Sequence, residues 1–317
     1  MSSRRLTLVA CFATIYLVWG STYLTTKIGV ATLPPFLFGG VRFLLGGALL
    51  LAVAQLRARS QGRTLPRPAP IEWRHLALVG LCTVFVSNSG NIWGLQYVPS
   101  NLAALLNVSS SFWIPILGLF GARAHAIGWR SGIGLLVGIF GTLLIAWPGA
   151  LASLQASGGV GVWPVIAILV GCVGWSIGTI YQRNVRTNLD ILSFTALQMA
   201  CGGLMMLFTG IALGELPRWH WDPVGIAALL YMMIFSSCIA YTAYAWLSVN
   251  ATPAQVGTYG FVNPVIAMGL GWWILDESLT RVQGLGTLVI LLGMLLVNWP
   301  DNAKPAAPPA AARDSLR

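Results

Sequence analysis

The chain alternates long apolar runs with short polar breaks, and the lengths of the runs sort it into elements. The runs cover about 6–28, 36–56, 75–98, 101–122, 131–147, 161–182, 191–213, 224–248, 253–275 and 282–299. Each is close to the ~20 residues that an α-helix needs to cross the ~30 Å hydrocarbon layer of a bilayer. The pattern predicts an all-α membrane protein of ten transmembrane helices. Paired arginines precede the first run in SRRLTL, as they can before an export signal. A signal's apolar core stops after ~7–15 residues at a small-residue cleavage site. This run continues through Tyr16, Trp19 and Tyr23 to Ile28, so it reads as a retained first helix. Past the last run comes DNAKPAAPPAAARDSLR, and the expectation for 300–317 is a disordered cytoplasmic tail.

Composition agrees with lipid as the solvent. The chain is 56% hydrophobic and 8% charged, against about 25% charged residues in ordinary soluble domains. Its net charge of +10 would point to nucleic acid only if the basic residues shared a patch. They follow the topology instead. With the N-terminus in the cytoplasm, Arg4, Arg5, Arg57, Arg59, Arg63, Arg67, Arg74, Arg123, Arg130, Arg183, Arg186, Lys304, Arg313 and Arg317 fall inside. Arg218 and Arg281 fall outside, and the positive-inside rule then places both termini in the cytoplasm. No nucleic-acid partner is expected. The five cysteines are scattered singly with no C-x-x-C or Cys/His spacing, so no metal, cofactor or disulfide framework is indicated.

The sequence also repeats itself. Trp19 matches Trp175, Phe38 matches Phe194, and Gly46–Gly47 match Gly202–Gly203 at an offset of 156, with Arg42 opposite Gln198. Trp93 matches Trp246 at 153, and Gly132, Gly134 and Gly141 match Gly284, Gly286 and Gly293 at 152. The repeats are 6–147 and 161–299, with five spans each. An odd number of spans makes the second copy enter the membrane with opposite polarity. Inverted repeats of this kind are a common construction for alternating access in secondary transporters.

Polar residues at membrane depth mark a candidate site. In TYGFVNPVIAMGLGWWILDE (258–277), Pro264 cannot donate to the Gly260 carbonyl, and Tyr259 and Asn263 share a helical face beside it. A broken ninth helix lining a watered cavity is expected, because a loose carbonyl is tolerated in lipid only where something satisfies it. NVSSSFWIP (107–115) is the counterpart, with Pro115 freeing the carbonyl of Ser111. The alternative for both is a kink bonded within the bundle. The candidate substrate cavity comprises Trp19, Thr22, Tyr23, Asn88, Asn91, Asn107, Ser111, Trp175, Tyr241, Tyr259 and Asn263. Ser87, Ser236 and Ser237 are also polar at this depth, though serines and threonines there often bond their own helix backbone. Lys27 and Arg42 are the basic residues within or near the membrane, and Lys27 has the alternative of snorkelling to an interface. No Asp or Glu lies at mid-depth, so a proton relay gets no support.

VWGSTYLTTKIG (18–29), VRFLLGG (41–47) and the 258–277 stretch resemble the drug/metabolite transporter superfamily, specifically its EamA-type ten-helix permeases. The 258–277 stretch is similar to the branch of bacterial inner-membrane drug/metabolite exporters. The resemblance covers roughly 6–299. It implies an inner-membrane permease of two inverted domains around a central cavity, exporting amino acids, other small metabolites or drugs. Lys27, Arg42, Asn263, Pro264 and Glu277 fall on recurrent positions of that family. Where a fourth-span proline and a terminal Gly-Glu are usual, Ser111 and GARAHA (121–126) stand, with Pro115 displaced by about a turn. The competing classes are a lipid-modifying enzyme, a sensor and a channel. The first lacks G-x-S-x-G and H-E-x-x-H motifs, and the second lacks a loop long enough for a soluble domain. The expected partners are a small-molecule substrate and the bilayer, with the chain acting as a monomer or homodimer.

Overall fold

The computed structural model describes residues 3–117, 129–156, 161–250 and 259–298, so the expected tail at 300–317 and the 121–126 stretch lie outside the described residues. Among the described residues the regular elements are all helical. The chain forms α1 (Ser3–Thr32), α2 (Pro35–Ser60), α3 (Pro70–Val79), α4 (Ser87–Gly94), α5 (Ser100–Asn107), α6 (Ser110–Leu117) and α7 (Trp129–Ala156). It continues with α8 (Trp163–Asn184), α9 (Ile191–Ala212), α10 (Pro223–Tyr231), α11 (Tyr241–Asn250), α12 (Tyr259–Leu275) and α13 (Arg281–Asn298). Two wider π-helical stretches, Gly80–Val86 and Met232–Ala240, join α3 to α4 and α10 to α11.

Apolar run length explains these helices. Among the described residues, six helical stretches are long and apolar enough to cross a membrane: Arg4–Thr32, Pro35–Ser60, Pro70–Gly94, Trp163–Gln182, Ile191–Ala212 and Pro223–Tyr244. Shorter apolar helices occupy Gly132–Leu144, Val262–Leu275 and Arg281–Gly293. Their outer faces are apolar as well. On α13, Leu285, Leu288, Leu292 and Leu295 recur at helical spacing and are all exposed. Water would penalise such a stripe, whereas hydrocarbon accepts it. The protein is an all-α membrane protein.

Helix ends are set by proline and by carboxylates. Proline opens α2, α3 and α10, where its missing N–H costs nothing. Asp190 caps α9 through Leu192 N (3.0 Å) and Ser193 N (3.1 Å). Asp222 caps α10 through Gly225 N (2.7 Å), a bond that holds its carboxyl below the usual carboxylate range. Other caps reach across the chain. Glu215 accepts from Leu37 N (2.9 Å) at the start of α2. Glu72 accepts from Thr187 Oγ1 (2.6 Å) and Asn188 N (2.9 Å), just ahead of α9. Glu277 accepts from Ser100 N (2.7 Å), Ser100 Oγ (2.9 Å) and Asn101 N (3.0 Å) at the start of α5. Asp276 turns the chain for this last contact with a φ of 51°. Gly271 leaves the room, since a Cβ there would meet a Glu277 carboxylate oxygen.

The principal packing follows an exchange rule. α1 packs on α12 and on the α10–α11 stretch, while α8 packs on α5–α6 and on the α3–α4 stretch. α2 packs against the second π stretch and α9 against the first. α2 meets α9, and α7 meets α13. Swapping α1 with α8, α2 with α9, α3–α4 with α10–α11, α5–α6 with α12 and α7 with α13 leaves this scheme unchanged. The two π stretches obey the same swap, and their centres lie 153 residues apart, the offset between Trp93 and Trp246. Glycine permits the close contacts. A Cβ on Gly47 would lie 2.7 Å from Ala196 O, and one on Gly141 would lie 2.9 Å from Ile290 N.

The expected break in the ninth span needs correcting. α12 runs unbroken from Tyr259 to Leu275 with Pro264 inside it. Pro264 has no N–H to serve the Gly260 carbonyl, yet the helix continues through it to Leu275. In the counterpart, the chain does break, but at Val108–Ser109 and not at Pro115, which lies within α6. Val108 N and Ser109 N tighten onto Leu105 O (3.2 Å) and Leu106 O (3.1 Å), three residues back. Asn107 Nδ2 bonds Ala103 O (2.8 Å) and Ser110 Oγ bonds Asn107 O (2.8 Å), drawing the local acceptors away from a regular helix.

The glycine contacts generate a paired test. Gly47→Ala should push α2 from α9 and cost about 1–3 kcal/mol, read as a lower melting temperature in detergent. Gly132→Ala, with open space where its Cβ would go, should leave the melting temperature unchanged.

Candidate functional site

A cavity of about 160 Å³ lies where these helices meet. α1 contributes Trp19, Thr22, Tyr23 and Thr26, and α2 contributes Arg42. Ser87, Asn88, Asn91 and Ile92 of α4, Leu95 just after it, and Ala104 and Asn107 of α5 continue the wall. Val108 and Ser110 follow at the chain break. Trp175 of α8, Met232 and Ser236 of the second π stretch, Tyr241 of α11, and Tyr259, Gly260, Asn263 and Pro264 of α12 close it.

One wall is aromatic. The Trp19 ring sits 5.6 Å from Tyr241, 5.1 Å from Tyr244 and 5.3 Å from Tyr259, centroid to centroid. The Tyr241 and Tyr259 contacts are edge-on, the arrangement the ring quadrupoles favour. The cluster ties α1, α11 and α12 together while presenting three of its rings to the cavity.

A second wall is built of amides. Asn107 Nδ2 donates to Asn91 Oδ1, Asn91 Nδ2 donates to Ser87 O (2.9 Å), and Asn88 Nδ2 donates to Thr83 O (3.0 Å). Each amide is anchored to a helix carbonyl, so the side chains are fixed in place before any solute arrives. The Thr83 carbonyl lies within the first π stretch. Across the cavity, Asn263 is 6% exposed and, with its amide nitrogen turned toward them, donates to Tyr16 O and Tyr259 O (3.3 Å each). Asn263 thus ties α12 to α1 as well as lining the space. Thr22 Oγ1 bonds Trp19 O (2.7 Å), as expected for a membrane threonine.

The two basic residues part company. Lys27 Nζ donates to Val98 O (2.6 Å) and Leu95 O (3.3 Å) and does not line the cavity. It clasps the turn between α4 and α5 from one side, while Glu277 holds the start of α5 from the other. Arg42 is 5% exposed and lies at the cavity wall. Its Nε donates to Ser237 Oγ (3.2 Å), its Nη2 to Ser236 Oγ (3.1 Å), and its guanidinium carbon lies 4.4 Å from the Phe43 ring centroid. Among the described residues no Asp or Glu lines the cavity.

The structure therefore brings Trp19, Thr22, Tyr23, Asn88, Asn91, Asn107, Trp175, Tyr241, Tyr259, Asn263, Pro264 and Arg42 to one space. The side chains of Ser111 and Pro115 lie outside the described residues. Sequence reading left out Ile92, Leu95, Ala104, Val108 and Met232, because an apolar residue facing a cavity reads like one facing lipid, and it left out Thr26, whose hydroxyl reads like one bonded to its own helix. Ser87 and Ser236, noted in the sequence as polar at this depth, also reach the cavity wall.

Comparison with known proteins now adds the family. Residues 6–147 and 162–299 match the EamA-like transporter family. The chain is similar to the uncharacterized inner membrane transporter YedA of Escherichia coli K12, 32% identical over 304 residues that cover 95% of this chain and 94% of that one. It is also similar to the uncharacterized transporter YvbV of Bacillus subtilis, 26% identical over 93% of this chain and 92% of that one. A crystal structure of a protein 19% identical shares the fold, with a TM-score of 0.64 over 93% of this chain and 96% of that one. The chain belongs to the EamA-like transporter family and is an integral membrane transporter, not an enzyme.

Proposed function

We propose that the protein carries small amphipathic solutes across a bacterial-type inner membrane by alternating access at the central cavity. Its working unit is two inverted five-helix repeats, ten transmembrane helices in all, with both termini in the cytoplasm. The observation that carries this reading is the cavity itself, which is walled by residues from both family-matched segments. Support comes from the exchange rule in helix packing, because a bundle whose halves can trade partners has two equivalent ways to close. The π stretches add to it. Each is a wide turn with locally weakened backbone bonding, a feature frequent at functional sites, and each sits beside the cavity at the same place in its half. The resemblance of 258–277 to drug/metabolite exporters suggests efflux as the direction.

Size bears on the substrate. Engineered cavities of about 150 Å³ accept a benzene ring, while drug sites span ~300–1,000 Å³. A space of about 160 Å³ suits one small metabolite, such as an amino acid, better than a bulky drug. The channel reading has less support, since rings from α1, α8, α11 and α12 converge on the cavity.

Three outcomes follow in proteoliposomes and cells. Tyr259→Ala and Asn263→Ala should each lower saturable uptake about tenfold, equivalent to about 1.4 kcal/mol, at unchanged protein levels. Trp273→Ala, on a face 74% exposed, should keep full flux. Full flux in both cavity variants would remove the site assignment, and currents without saturation or counterflow would replace the carrier by a channel. Tags on the two ends should both be protected from reagents outside the cell, and tags on opposite sides would end the inverted arrangement.

A further inference from the structure

We propose that the cavity is an organic-anion site, with Arg42 receiving a carboxylate or similarly planar anionic group of the solute. The inference rests on the transporter reading above and names the substrate class it takes. Arg42 is buried within the apolar helix α2, and among the described residues its charge is met by the hydroxyls of Ser236 and Ser237, the face of Phe43 and the nearby uncharged side chains of Tyr241 and Cys238. Those are neutral partners. A guanidinium has five N–H donors in a rigid fork, and the two hydroxyls engage only Nε and Nη2. Burying a charge without a counter-charge is costly, so an ionisable residue retained at this depth points to function. Arg42 also opens onto the cavity, where among the described residues no carboxylate competes for it.

Lys27 makes the contrast. Its ammonium is bonded to two backbone carbonyls at a helix turn and does not reach the cavity, so its charge already has a structural use. Arginine is also the better receptor, because its planar fork matches a carboxylate with two parallel bonds. The remaining walls fit the rest of such a solute. Trp19, Tyr241 and Tyr259 offer flat apolar area for an organic body, and the volume limits that body to about one ring or a short chain. A bare inorganic anion would leave the aromatic wall unused.

The test is ligand-induced thermal stabilisation of the purified full chain in detergent, which requires no transport. Benzoate is compared with benzamide, and butyrate with butyramide, so that only the charge differs within each pair. The carboxylates should stabilise the protein and the amides should not. In Arg42→Gln the preference should vanish, with apparent affinity for benzoate about ten- to hundredfold weaker. Arg42→Lys should keep part of it. Equal stabilisation by acid and amide, no stabilisation by either, or a preference that survives Arg42→Gln would overturn the proposal. If Arg42→Gln fails to fold, the acid–amide comparison in the unaltered protein decides alone. Binding with this preference but no flux in liposomes would leave the anion site standing and sink the carrier reading. Saturable flux confined to neutral or cationic solutes would do the reverse.

Discussion

In hydrocarbon every backbone N–H and C=O must find a partner inside the protein, and that requirement organises this molecule more than any single contact. It is why the chain is helical from end to end in the described residues and why departures from the regular α-helix are confined. The second π stretch, the Val108–Ser109 break and the 260–264 stretch with its missing proline N–H supply cavity-lining residues, and the first π stretch leads directly into Ser87 and Asn88. Irregular backbone is concentrated where side-chain amides and hydroxyls are near enough to serve it. The same requirement governs the helix ends, where Glu72, Glu215 and Glu277 each reach from one segment to the exposed amides of another. Charge that would be a liability in lipid becomes the fastening between distant parts of the chain.

Much of this was legible in the sequence because lipid makes simple demands. Apolar run length marked the helices, and the polar and aromatic residues embedded in those runs marked the cavity. Trp19, Asn88, Asn107 and Tyr259 are far apart in sequence, yet each stood out for the same reason: a group that hydrocarbon would not stabilise needs company. What stayed hidden has physical reasons too. Proline announces a missing hydrogen bond but not whether the helix breaks there, and α12 continues through Pro264 to Leu275. The π stretches carry no residue signature of their own, since one extra residue per turn is decided by packing against α2 and α9. Glu277 looked like the end of a span. Only the turn at Asp276 reveals that it reaches the start of α5.

The cavity combines two kinds of wall that seldom share so small a space. Edge-on aromatic rings give a rigid apolar surface whose geometry is fixed by α1, α11 and α12. Anchored amides and a buried guanidinium supply polarity whose positions are fixed by helix carbonyls and by the serines of a π stretch. Both are preorganised, so a solute that matches them meets little reordering cost on entry. A solute that matches only one wall leaves the other without its complement, which is a physical basis for selectivity in a protein that otherwise consists of interchangeable apolar side chains.

Gly46 ties this selectivity to the history of the sequence. It lies one turn after Arg42 on the same face of α2, and a Cβ there would come within 2.9 Å of the Ser237 Cβ. The missing side chain at 46 is what lets the hydroxyl at 237 reach the guanidinium. Among descendants of this architecture the two positions are therefore not free to drift independently. A lineage that enlarges residue 46 must give up the serine at 237 or move α2, and either route changes what the arginine is offered.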